Sequence, residues 1–273
     1  RFRNLTVREI DGDEAALRLW GREEPGFVPL FDGKSFTGWR GDVGSYEVVD
    51  GAIRCRAGQG GNLFTEARYA DFTVRLEFRL PPGGNNGLAI RYPGQGDPAY
   101  AGCELQVLDD TAAQYDDLKP WQRHGSVYGV AASHTGYLRP AGEWNHQEVT
   151  VRGSRYTVVL NGTTILDADV ADVPSQLKDH VGKDNAEGHF GFCGHGDPVA
   201  FRNVRTASEG LHLSPRRAAE DPTSACSVSR SRFRQARCAR PAGCVPSPQR
   251  ATGRAAEDPT SACSARSSRS SHR

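Results

Sequence analysis

Two dipeptides constrain this chain most. Asp50-Gly51 and Asn161-Gly162 each stand between short runs of alternating apolar and polar residues. Tyr46–Val49 and Ala52–Cys55 flank the first pair; Tyr156–Leu160 and Thr163–Leu166 flank the second. Asp-Gly and Asn-Gly supply the positive φ angles of a type I′ turn, whose twist matches that of the strands it joins. Both segments therefore read as β-hairpins. Period-two alternation recurs at Phe72–Leu80, Gly87–Tyr92, Cys103–Leu108, Ser126–Val130, Gln147–Arg152, Gly188–Gly194 and Val199–Thr206. About ten short, turn-bounded strands predict an all-β chain, a two-sheet sandwich of the jelly-roll type. Weak helical patterning is confined to Asp13–Trp20 and Asp172–Val181. No apolar run approaches the roughly 18 residues of a membrane span.

Composition divides the chain. The 273 residues carry a net charge of +1, which argues for neither a nucleic-acid nor a membrane partner. Residues 211–273, however, hold 12 Arg, no Lys and four acids, whereas residues 1–210 hold 22 basic against 29 acidic side chains. The basic segment is Ser-rich and repeats RAAEDPTSACS at Arg217–Ser227 and Arg254–Ser264. Its large apolar residues are too few to offset the entropy of ordering it, so residues 207–273 are expected to be a disordered Arg/Ser-rich tail. With Phe233 its only aromatic, no nucleic-acid partner is assigned to it. Cys226, Cys238, Cys244 and Cys263 fit no zinc spacing. Cys55, Cys103 and Cys193 read as small packing residues.

Strand parity places the candidate chemistry. Alternation predicts Leu76, Phe78, Ile90, Leu105, Val107, Val158, Phe190 and Phe192 in the core. It turns Glu77, Arg91, Glu104, Gln106 and His195 to the opposite faces of their strands. If those strands are neighbours in one curved sheet, the five groups converge on one concave surface. A merely solvated face would favour Thr, Lys and Ser; this set of Glu, Arg, Gln and His points to a site.

Phe31–Trp39, FDGKSFTGW, resembles the opening motif of the 3-keto-disaccharide hydrolase family, long catalogued as a domain of unknown function. The resemblance continues through YEVVDG from Tyr46, Tyr69–Arg79, Gly84–Arg91, Cys103–Asp109, Ser126–Gly129, Ala141–Asn145, Leu160–Gly162, Gly194–Gly196 and Val199–Val204. It implies a concanavalin A-like jelly roll over residues 27–206 and a carbohydrate substrate, a glycoside or disaccharide oxidised at C3. It also implies a secreted or periplasmic location. Arg1–Val7 matches Ala200–Thr206, the family's last strand. Residues 1–10 are therefore expected to be the last strand of a preceding copy in a tandem parent chain, with 11–26 as linker.

A ketone at C3 acidifies the C2 hydrogen, so a base can form an enolate, the C1 substituent can leave, and water can add. For this hydrolase route Glu104 or His195 suits the base, Arg91 the enolate oxygen, and Glu77 the acid. Direct displacement by two carboxylates competes with it. Gln106, Asn86, Trp121, His124 and Tyr128 are the candidate substrate contacts, Trp121 as a stacking platform. No metal is assigned and the cofactor is unknown, although His and Glu on one face would suit a divalent ion. The alternative is a non-catalytic carbohydrate-binding module of the same fold.

Overall fold

The computed structural model describes residues 26–208. Expectations for the first strand, the linker before Gly26 and the tail beyond Ser208 lie outside the described residues. Thirteen strands occur there: β1 (Val28–Pro29), β2 (Trp39–Gly41), β3 (Tyr46–Val49), β4 (Ala52–Cys55), β5 (Gly60–Tyr69), β6 (Phe72–Arg79), β7 (Asn85–Tyr92), β8 (Cys103–Leu108), β9 (Trp144–Arg152), β10 (Arg155–Leu160), β11 (Thr163–Asp169), β12 (Gly188–His195) and β13 (Ala200–Ser208). One four-residue helix, α1 (Pro98–Ala101), precedes β8.

The strands form two antiparallel sheets. One runs β11-β10-β9-β6-β13-β4-β3, with β1 added on β13; the other runs β2-β5-β12-β7-β8. Both predicted hairpins are present, and Asp50, Gly51, Asn161 and Gly162 all have positive φ, as their turns require. All eight predicted core positions are buried. The Trp39 ring stacks on Phe192 at 5.3 Å, and Phe192 on Phe201 at 4.0 Å, which ties the two sheets together. The opening motif serves this packing. Asp32 accepts hydrogen bonds from the Lys34 and Ser35 amides, which fixes the turn, and the Trp39 indole donates to the Leu30 carbonyl at 2.7 Å.

Five elements differ from expectation, among them the short strands β1 and β2, which the alternation does not mark. Gly60–Tyr69, not singled out in the sequence, is the ten-residue strand β5. Ser126–Val130 is no strand; Val127 makes only isolated bridges to Leu105 and Ala131. Asp172–Val181 forms turns and bends rather than a helix. No helix among the described residues is long and apolar enough to cross a membrane.

Candidate active site

A cavity of about 330 Å³ opens on the outer face of the five-stranded sheet. Its floor comes from β7, β8 and β12, whose outward positions alternate with the core. From β8 come Glu104 and Gln106, from β7 Asn85, and from the end of β12 His195. Below them Phe64, Ala89, Tyr92 and Cys193 pack as a small second apolar cluster on the same face of the sheet.

Two chain segments wall the cavity. Residues 93–102 fold over the small cluster, held by the Tyr92 hydroxyl, which donates to the Gly96 carbonyl at 2.8 Å. Asp97 caps α1 through the Ala99 amide, Pro98 opens the helix, and Asp97, Ala99 and Tyr100 line the cavity. The second wall carries Tyr115, Leu118, Gln122 and Tyr128. Tyr115 donates to the Gly83 carbonyl, and the Gln122 amide donates to the Tyr128 hydroxyl at 3.2 Å.

The central feature is an acid–imidazole pair. His195 Nε2 lies 3.3 Å from Glu104 Oε1. The Glu104 side chain is 7% exposed and that of His195 45%, so the carboxylate forms the floor and the imidazole the rim. The hydrogen bond to Glu104 holds the His195 pKa above the ordinary imidazole value, against partial burial; the charges of Glu104, Asp97 and Asp197 add to the effect. Beside the pair, Gln106 Nε2 donates to Asn85 Oδ1 at 3.0 Å, which leaves the Asn85 amide N–H groups as donors. The Tyr128 hydroxyl accepts from Gln122 and keeps its own proton to give. The site thus offers a carboxylate, an imidazole of raised pKa and neutral donors within one cavity.

The sequence-derived candidates divide accordingly. Glu104, Gln106, Tyr128 and His195 line the cavity together. Trp121 stands behind Tyr128, edge to face at 5.2 Å, and is not part of the lining.

Arg91, Glu77, Asn86 and His124 lie elsewhere. Arg91 has φ +50°, and the register between β7 and β12 shifts beside it. This bulge exchanges the sides of Arg91 and Tyr92. The guanidinium is buried against the Ala70, Gly153 and Asn185 carbonyls and the Asp71 carboxylate, away from the cavity. Glu77 belongs to the other sheet, where Arg202 and Asn203 each donate to its carboxylate at 2.6 Å. Asn86 points inward and accepts from the Gly87 amide; its neighbour Asn85 is the lining residue. His124 is an interior residue. Its Nδ1 accepts from the Leu108 amide, its Nε2–H donates to Gln147, and burial lowers its pKa to about 4. Asp97, Tyr100, Tyr115, Leu118 and Gln122 were not singled out. Asp97-Pro98, a helix-start pair followed by Tyr100, was the available signal.

Cys55, Cys103 and Cys193 are free and buried, and desolvation raises all three thiol pKa values. Among the described residues no three His, Cys, Asp or Glu side chains gather as a metal-binding group.

Fold and site together define a β-sandwich with a carboxylate and an imidazole paired in an open cavity. Residues 26–207 match the model of the 3-keto-alpha-glucoside-1,2-lyase-like domain, and the chain belongs to that family. It is 28% identical over 251 residues to a 3-keto-disaccharide hydrolase of Bacteroides thetaiotaomicron, an alignment spanning 74% of this chain and 83% of that protein. Among solved structures it is similar to a Parabacteroides distasonis protein provisionally named a glycosyl hydrolase. That likeness has a TM-score of 0.60 and 25% identity, covering 67% of this chain and 99% of the other. A second protein of that organism and provisional name shares the fold, with a TM-score of 0.57, 24% identity and coverage of 74% and 99%.

Proposed function

We propose that the protein is a hydrolase of glycosides or disaccharides oxidised at C3, acting by elimination and hydration. The observation that carries this reading is the Glu104–His195 pair, carboxylate at the floor and imidazole at the rim of the cavity. Glu104 removes the proton from C2, whose acidity the C3 ketone supplies. The amide of Asn85 and the hydroxyl of Tyr128 donate to the enolate oxygen, the part first expected of Arg91. The C1–O bond then breaks as His195, kept protonated by its partner, gives its proton to the leaving oxygen. Water adding across the resulting C1–C2 double bond completes a net hydrolysis. The hydrogen bond to Glu104 raises the basicity of His195, so acid and base are held together in one pair.

A non-catalytic sugar-binding role is the second reading. Tyr100, 41% exposed, together with Tyr115 and Tyr128, favours it, since such rings stack on sugar faces. One experiment separates the two. The full chain is incubated with a 3-keto disaccharide and with the unoxidised disaccharide, and released monosaccharide is measured. Turnover of the keto sugar alone is expected, with Glu104→Gln lowering kcat about 10²–10⁴-fold at nearly constant KM. Full turnover by Glu104→Gln would remove the base. Binding without turnover by the unmutated protein would leave the binding module.

A further inference from the structure

We propose that Gly87 is a positioning residue, and that its missing side chain is what lets the Glu104 carboxylate reach His195. Glu104 is on β8 and His195 on β12, and these strands are not neighbours, because β7 runs between them. Strands two apart in a sheet are separated by roughly 9–10 Å. The Glu104 side chain must therefore lie across β7 to approach His195 at 3.3 Å. It does so over Gly87, which pairs with Gln106 on one side and Cys193 on the other. A Cβ at Gly87 would stand 2.6 Å from both Cγ and Cδ of Glu104, and nearer still to Oε1.

The backbone does not ask for glycine here. Gly87 is not among the positive-φ positions, and glycine inside a strand is otherwise unfavourable. The next residue on this face, Ala89, carries a methyl group and pairs directly with Glu104. Between Asn85 and Ala89, the one position on this face of β7 without a side chain is thus where the carboxylate crosses it. Gly87 touches no reacting atom in this scheme; it acts through the direction it permits Glu104 to take.

The test is Gly87→Ala, read first by the NMR titration of His195. Loss of the Glu104 hydrogen bond should bring the His195 pKa down to about 6.5 or below, the ordinary range. With the reading of the site given above, kcat on a 3-keto disaccharide should fall about 10–100-fold with KM within about threefold. In the Glu104→Ala background the added methyl has room, so Gly87→Ala should change neither the His195 pKa nor Tm. An unchanged His195 pKa in the single variant would overturn the proposal. If the single variant does not fold, the double variant decides: recovery of folding supports the clash with Glu104, and failure to fold refutes it. The titration stands even if no 3-keto sugar is turned over, so failure of the substrate assignment would not be mistaken for failure of this one.

Discussion

Two histidines show how far placement, rather than residue type, sets chemistry. His195 is half-exposed beside a carboxylate, and its pKa is raised. His124 lies in the interior against Phe78, at 5.1 Å between rings, and its pKa falls to about 4. A histidine whose folded pKa is depressed binds its proton more weakly than the unfolded chain does. It therefore subtracts stability as pH falls from about 6.5 toward 4. For His124 the loss by pH 4 is on the order of 3 kcal/mol. His195 acts with the opposite sign, adding stability that is complete below about 6.5 and lost as pH rises through its raised pKa, and solvent screening weakens its share. Urea unfolding of the full chain between pH 7 and 4 should show His124's decline. His124→Gln should flatten that slope, although it costs about 1–3 kcal/mol at pH 7 by leaving the Leu108 amide unpartnered. An undiminished slope in the variant would place the acid sensitivity elsewhere.

At the scale of strands, parity was legible and sheet membership was not. Glu104, Gln106, Phe190 and His195 follow the alternation read from sequence because β8, and β12 around Phe190–His195, keep it. The same alternation, carried back from Gly87 and Ala89, would have chosen Asn85 over Asn86. Glu77 also obeys parity, yet parity only says which side of its own strand a residue takes. Which sheet contains β6 depends on its pairing with β9 and β13, many residues away, and no local pattern encodes that. Arg91 fails for another reason. A left-handed residue at a bulge is usually Gly or Asn, so an arginine gives no warning of the turnover in side. Its role becomes structural, a buried guanidinium joining β7 to three loop carbonyls and Asp71. Arg91→Ala should therefore cost about 2–4 kcal/mol of stability, because those acceptors lose their donor. Its kcat on a 3-keto disaccharide, measured well below Tm, should stay within about threefold of the unmutated protein. A hundredfold loss of kcat with unchanged Tm would restore Arg91 to the chemistry.

The whole molecule adds a condition on what can enter the cavity. Residues 1–210, which contain the sandwich, carry 22 basic against 29 acidic side chains. The cavity follows the same bias: Asp97 and Glu104 line it, no Lys or Arg does, and a protonated His195 at the rim offsets only one of the two negative charges. Burial at the floor lowers the local dielectric, so a carboxylate on the substrate would meet these charges with little screening. At an effective dielectric near 20, a like charge about 5 Å away costs roughly 3 kcal/mol, enough for a hundredfold difference in kcat/KM. The site should accordingly prefer neutral 3-keto glycosides to the matching 3-keto uronides, which bear a carboxylate at C6, by about tenfold to a hundredfold. Competition between the two at fixed pH reads this ratio directly. Asp97→Asn should narrow it by raising the uronide rate while leaving the neutral sugar within about threefold, since Asp97 takes no part in the proton transfers. Equal kcat/KM for the two substrates, or a preference for the uronide, would mean that the protonated His195, and not the acidic lining, governs selection.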